Sequence, residues 1–151
     1  MPGRLSLVCF GMAMLLSCRA RLHSPEEPSR AFSAESDRLA SGVLDAAKRA
    51  VARDDWFDRE FEESFYSVLE MREPAAVDAR IALLNYYLGE HFGEELVCAV
   101  AKGGASVVAR VKEIAAHPPR LSADPVPSAL AGSGRLPGYV IELVESGEPC
   151  E

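Results

Sequence analysis

The chain is poor in the residues from which most catalytic and metal sites are built. It holds three histidines in 151 residues, at positions 23, 91 and 117, and no Cys-x-x-Cys pair or Cys/His cluster of the kind that binds zinc. No Ser/His/Asp or Cys/His arrangement stands out as a nucleophile with its base. Ser128 and Ser133 fall in a loop with no base oriented toward them by the pattern. Gly-centred calcium-loop spacing is missing. Lys102-Gly103-Gly104-Ala105-Ser106 leads into a helix, a place where anions bind, but it lacks phosphate-loop spacing and reads as a turn. Positive charge is also scarce: 16 Lys and Arg stand against 23 Asp and Glu, for a net charge of −7. That balance leaves no basic patch and argues against nucleic acid as a partner. No repeat of fixed period is present. The longest apolar run, residues 5–16, falls short of the roughly 20 residues that cross a bilayer.

That short run has a different use. Arg4 precedes it, Ser6 and Gly11 are its only weak interruptions, and Arg19, Arg21, Glu26, Glu27 and Arg30 follow at once. A positive start, a short apolar core and an abrupt polar boundary make a secretory leader over residues 1–17. The boundary reads Leu15-Leu16-Ser17-Cys18 and resembles the lipobox of bacterial lipoproteins, with Leu15, Ser17 and Cys18 in the characteristic places. The resemblance implies that Cys18 is diacylated on sulfur and becomes the first residue after cleavage. Each buried CH2 of an acyl chain contributes about 0.8 kcal/mol, so two or three chains anchor where one does not. The membrane is then a partner through lipid alone, and the domain faces the periplasm. Arg19 in place of Asp favours the outer membrane within that class. The alternative is an ordinary signal cleaved near Ala20, giving a secreted or soluble periplasmic protein.

The cysteine count follows from the leader. Cys9 leaves with it and Cys18 is committed if lipidated, so Cys98 and Cys150 remain in an oxidising compartment. A Cys98–Cys150 disulfide is expected. The alternative is a small buried Cys98 on a helix and a fraying tail at Cys150.

The remaining chain divides into a polar tether over residues 18–35, a helical domain over 36–117, a Pro/Gly-rich loop over 118–138 and a C-terminal segment over 139–151. The fold class is all-α, a small bundle of four to five helices with an extended Pro/Gly-rich C-terminal segment. Ser36 is a candidate N-cap for a first helix over 37–53, whose Leu39, Val43, Ala46, Ala47 and Ala50 recur at helical spacing. Asp54-Asp55 breaks it. A second helix is expected over 56–71, with Phe57, Phe61, Phe65, Val68 and Leu69 inward. A third runs from Pro74 to a stop at Gly89, a fourth covers 90–102 and a fifth covers 105–116. Residues 117–138 hold five prolines and three glycines and read as extended or mobile. Tyr139 to Val144 has strand composition but no partner strand. Three forms stay open there: a short helix, an extended segment pinned by Cys150, or a strand added to another protein's sheet edge.

Four groups of residues invite a functional reading. His91-Phe92-Gly93-Glu94-Glu95 is similar to the inverted zinc motif His-x-x-Glu-His, with Glu95 where the second histidine would stand. His91 and Glu95 share a helix face, but Gly93 weakens the helix and an exposed helix start is the plainer interpretation. The aromatic series Trp56, Phe57, Phe61, Phe65 and Tyr66 has the spacing of core packing rather than of a ligand groove. Of Tyr86 and Tyr87, which point to different sides of a helix, one belongs in the core and the other is a candidate interface anchor. The acidic segment 54–63 reads as a solvated face. The expectation is an envelope lipoprotein, non-enzymatic and cofactor-free, whose helical domain binds another protein as an adaptor. Two alternatives stand beside it: a periplasmic inhibitor or toxin-neutralising protein acting on a basic target, and a metal-dependent hydrolase using His91.

Overall fold

The computed structural model describes residues 30–150; the leader and Cys18 lie outside the described residues. The fold is all-α. Helices α1 (Ala34–Ala52), α2 (Arg59–Glu70), α3 (Pro74–Leu83), α4 (Glu90–Ala101) and α5 (Ala105–Ala116) are followed by a 3-10 turn (Ser128–Leu130) and α6 (Leu136–Ser146). Among the described residues the only β pairing is an isolated antiparallel bridge between Tyr86 and Ala131.

α3 is the centre of the helical domain. It packs against α1, α2, α4 and α5, while α6 lies on α4 and α5. Its short length and small residues permit this: Ala76, Ala79 and Ala82 let neighbouring helices approach closely. Ile81, Leu83 and Leu84 fill the space between them, all at most 1 % exposed. The α1 stripe of Ala40, Ala46, Ala47 and Ala50 is buried, as its periodicity requires. Phe61, Phe65 and Phe92 form the aromatic heart of the core, with edge-to-face ring pairs at 4.8 and 5.0 Å.

Several boundaries differ from the sequence reading, each for a local reason. Ser33, not Ser36, caps α1: its hydroxyl accepts from the Ser36 amide at 3.0 Å, and Ser36 lies buried one turn inside. Asp58 caps α2 by accepting from the Phe61 amide, so the helix starts after Phe57 rather than before it. α3 ends at Leu83, well short of Gly89, which instead opens α4 with φ +90°. The chain is drawn out of the helix by tertiary contacts. The Tyr87 amide donates to the Leu130 carbonyl at 2.9 Å. The Tyr86 hydroxyl donates to Asp124 at 2.9 Å.

Residues 117–135 are irregular but firmly held. Asp37 on α1 accepts from the Ser122 amide at 2.8 Å and from the Ser122 hydroxyl. Ser41 accepts from the Ala123 amide at 3.1 Å, and Lys48 donates to the Ala123 carbonyl. Asp124 accepts from the Leu121 amide at 2.8 Å. Leu121, Ala123 and Leu130 are buried. Gly132 fits only because it has no side chain: a Cβ there would stand 2.2 Å from the Asn85 carbonyl oxygen.

Residues 139–144 are helical, which resolves the open choice and leaves no strand edge. Pro137 sits in the first turn of α6, and Gly147 ends it in the left-handed conformation at φ +69°. Leu136, Val140 and Leu143 form its inner stripe. The expected disulfide is present: Cys98 on α4 and Cys150 beyond α6 are joined, with Cα atoms 5.7 Å apart.

Candidate functional site

Two regions carry the residues singled out by the sequence. The first is a groove of about 560 Å3 beside α4. One turn of α4 separates His91 from Glu95, so the two share a face, and His91 Nε2 lies 3.1 Å from Glu95 Oε1. Tyr66 and Glu70 reach in from α2, and Cys98 and Cys150 close one end. Burial first, and the Glu95 carboxylate second, push the Tyr66 hydroxyl up to about 12. Tyr66 is therefore a protonated phenol near neutrality, a donor rather than a base. The histidine and carboxylate occupy each other, and the His91 side chain is 61 % exposed. Among the described residues no group of three or more His, Cys, Asp or Glu gathers around a point where a metal ion would sit. The second histidine missing from the sequence motif has no spatial replacement: His117 ends α5 and does not line the groove.

The second region is the turn between α1 and α2. α1 ends in a Schellman motif: the Asp55 amide donates to the Ala50 carbonyl and the Asp54 amide to the Val51 carbonyl, both at 3.0 Å. The left-handed residue of this motif is usually glycine, yet Asp54 fills it, with φ +55°. The Phe57 amide donates to Asp55 Oδ1 at 3.1 Å, which tightens the turn. The chain thus places Phe57 outside the helix, 75 % exposed, contrary to its expected place in the core. Trp56 is half-buried behind it, edge-to-face against Phe61 and against Tyr87 at 5.9 Å. Of the tyrosine pair, Tyr86 is the inward member and Tyr87 is 45 % exposed. Trp56 also abuts Gly89, which brings the start of α4 and its exposed Glu90 to the same corner.

The cations near this corner are engaged. Arg53 pairs with Asp58 at 2.6 Å, Arg49 with Glu60 at 2.6 Å and Arg59 with Glu63 at 2.7 Å. The acidic segment 54–63 is accordingly a solvated face in part only, since Asp58 is buried as a cap and Glu60 ties α2 to α1. Among the described residues Asp54 and Glu90 make no such pair.

Two buried charges escaped the sequence reading. Arg80 on α3 donates to the carbonyls of Val68 at 2.6 Å and Met71 at 2.8 Å. Asp78, 1 % exposed, accepts both arms of Arg110 from α5 at 3.0 and 2.8 Å. The signal for both was the isolated charge in the otherwise apolar run Val77-Asp78-Ala79-Arg80-Ile81. Compared with protein-family models, with curated proteins and with solved structures, the chain has no significant match.

Proposed function

We propose that this is an exported protein, anchored to the membrane by lipid on Cys18, whose helical domain binds another protein and catalyses no reaction. One observation supports the binding role above others: Phe57 and Tyr87 are large, exposed aromatics, Tyr87 packed against Trp56 and Phe57 carried on the turn that follows the α1 cap. Aromatic side chains held rigidly at a surface lose little entropy when a partner covers them, and they dominate binding energy where they occur. The export reading is supported by Leu15-Leu16-Ser17-Cys18 and is in keeping with a Cys98–Cys150 disulfide, a bond that persists in oxidising compartments. The net charge of −7 favours a basic target and keeps an inhibitor or toxin-neutralising role as the second reading. Mass spectrometry of the membrane fraction tests the anchor. An acylated N-terminal Cys18 is expected; a mature start after Ala20, without lipid, would overturn it.

A further inference from the structure

Exposed aromatics are one half of a recognition surface; the charges around them set which partner fits. At the α1–α2 corner Trp56 meets Tyr87 edge to face and abuts Gly89, and the exposed Asp54, Asp55, Phe57 and Glu90 lie next to these residues in the chain. Among the described residues the neighbouring Arg49, Arg53 and Arg59 each pair with another carboxylate, which leaves Asp54 and Glu90 without a cationic partner there. Asp54 sits in a backbone conformation that glycine adopts without strain and other residues adopt at a cost. Glycine is the commonest residue at this place, and Asp and Asn are the others that occupy it. Asp54 leaves an exposed carboxylate two residues before Trp56.

Resting on the protein-binding role above, we infer that this corner is the docking surface and that its partner presents a basic segment in which Arg or Lys flanks an apolar side chain. The apolar group covers Phe57 and Tyr87, while the cation meets Asp54 and Glu90. Arginine suits this place doubly, because its guanidinium stacks on aromatic faces and pairs with carboxylates. A second copy of the chain is disfavoured, since two acidic surfaces would meet. An anionic lipid surface is repelled for the same reason.

The test incorporates a photoreactive phenylalanine analogue in the full-length chain, in place of Phe57 or, separately, of the exposed Glu142 on α6. Crosslinked segments from intact cells are then sequenced by mass spectrometry. Capture at position 57 of a segment with Arg or Lys beside an apolar residue, and none at 142, is the expected result. That segment, made as a synthetic peptide, is titrated against the full-length protein. Trp56 is the sole tryptophan, so its fluorescence reports on this corner alone. Affinity should fall about tenfold in Phe57→Ala and in Asp54→Gly, and it should weaken as salt rises. Asp54→Gly is the informative variant, because its melting temperature should equal or exceed that of the parent while binding is lost. Capture at 142 alone would overturn the surface and leave protein binding standing. Capture at 57 of an acidic or uncharged segment would overturn the charge pairing. No capture at either position would remove the binding role and this surface with it.

Discussion

Arg80 shows how one side chain completes an element to which it does not belong. The last carbonyls of any helix lack intrahelical partners, and α2 has no basic residue in its final turn. Arg80 reaches over from α3 and donates to the Val68 and Met71 carbonyls, placing a positive charge at the negative end of the α2 dipole. Burial lowers its pKa, but an arginine remains charged at neutrality. Arg80→Met keeps the packing stem and strands those carbonyls. A loss of about 3 kcal/mol is expected by urea denaturation. Arg80→Lys, which retains a donor, should recover part of it. Tyr66 allows a pH test at the same scale. Its folded pKa lies near 12, above the ordinary value of 10.0, because burial and Glu95 disfavour the phenolate. A raised pKa means that the folded state holds its proton longer than the unfolded one. The contribution is present below pH 10 and is lost as pH rises toward 12. Ultraviolet titration of Tyr66→Phe should lose one tyrosine's share of the late phenolate absorbance, leaving that of Tyr86, which burial and Asp124 also push upward.

At the scale of elements, α6 is the least secured helix, with only Pro137 and Val140 buried. The Cys98–Cys150 bond ties its far end to α4 across 52 residues of sequence. Closing a loop of that length stabilises by about 4 kcal/mol in the chain-entropy model. In Cys150→Ser the expected first consequence is local: α6 amides such as that of Val140 should exchange much faster, while α1 and α3 amides change less. Uniform acceleration across all helices would mean that α6 is part of the cooperative core. The helices themselves were largely legible in the sequence. α5 covers Ala105–Ala116, the span expected of it, and α1 and α4 differ by a few residues at their ends. The failures arose where long-range contacts overrode local pattern. α3 stops early because Tyr86 and Tyr87 bond to residues some 40 positions away. Phe57 fitted the helical spacing of Phe61 and Phe65, but Asp58 took the cap and turned it outward. Tyr139 to Val144 has the composition of a strand, yet the period of Leu136, Val140 and Leu143 is that of a helix, and period decides. The disulfide was legible by arithmetic on four cysteines. The groove at His91 was legible as a shared helix face. Asp54 in its left-handed turn was not, because the sequence marks Asp54-Asp55 as a break without saying which of the two takes the left-handed conformation.

For the molecule as a whole, the proposed anchor and the folded domain draw on separate cysteines. Cys98 and Cys150 are joined within the bundle, on the far side of the tether from Cys18 in sequence. Within the described residues α1 begins at its own Ser33 cap, and Asp37, Ser41 and Lys48 on α1 hold the 121–124 segment. Loss of the lipid site should therefore change location without changing the fold. Cys18→Ala is expected to move the protein from the membrane pellet to the soluble fraction, or to leave it uncleaved at the membrane if processing requires the thioether. In either case its thermal midpoint should match the parent, and the Cys98–Cys150 bond should remain intact by non-reducing mass mapping. A mature, processed variant that still pellets with membranes would remove lipid on Cys18 as the anchor. A lowered midpoint with scrambled disulfides would show that Cys18 takes part in the bundle's oxidation, and that the two roles are coupled.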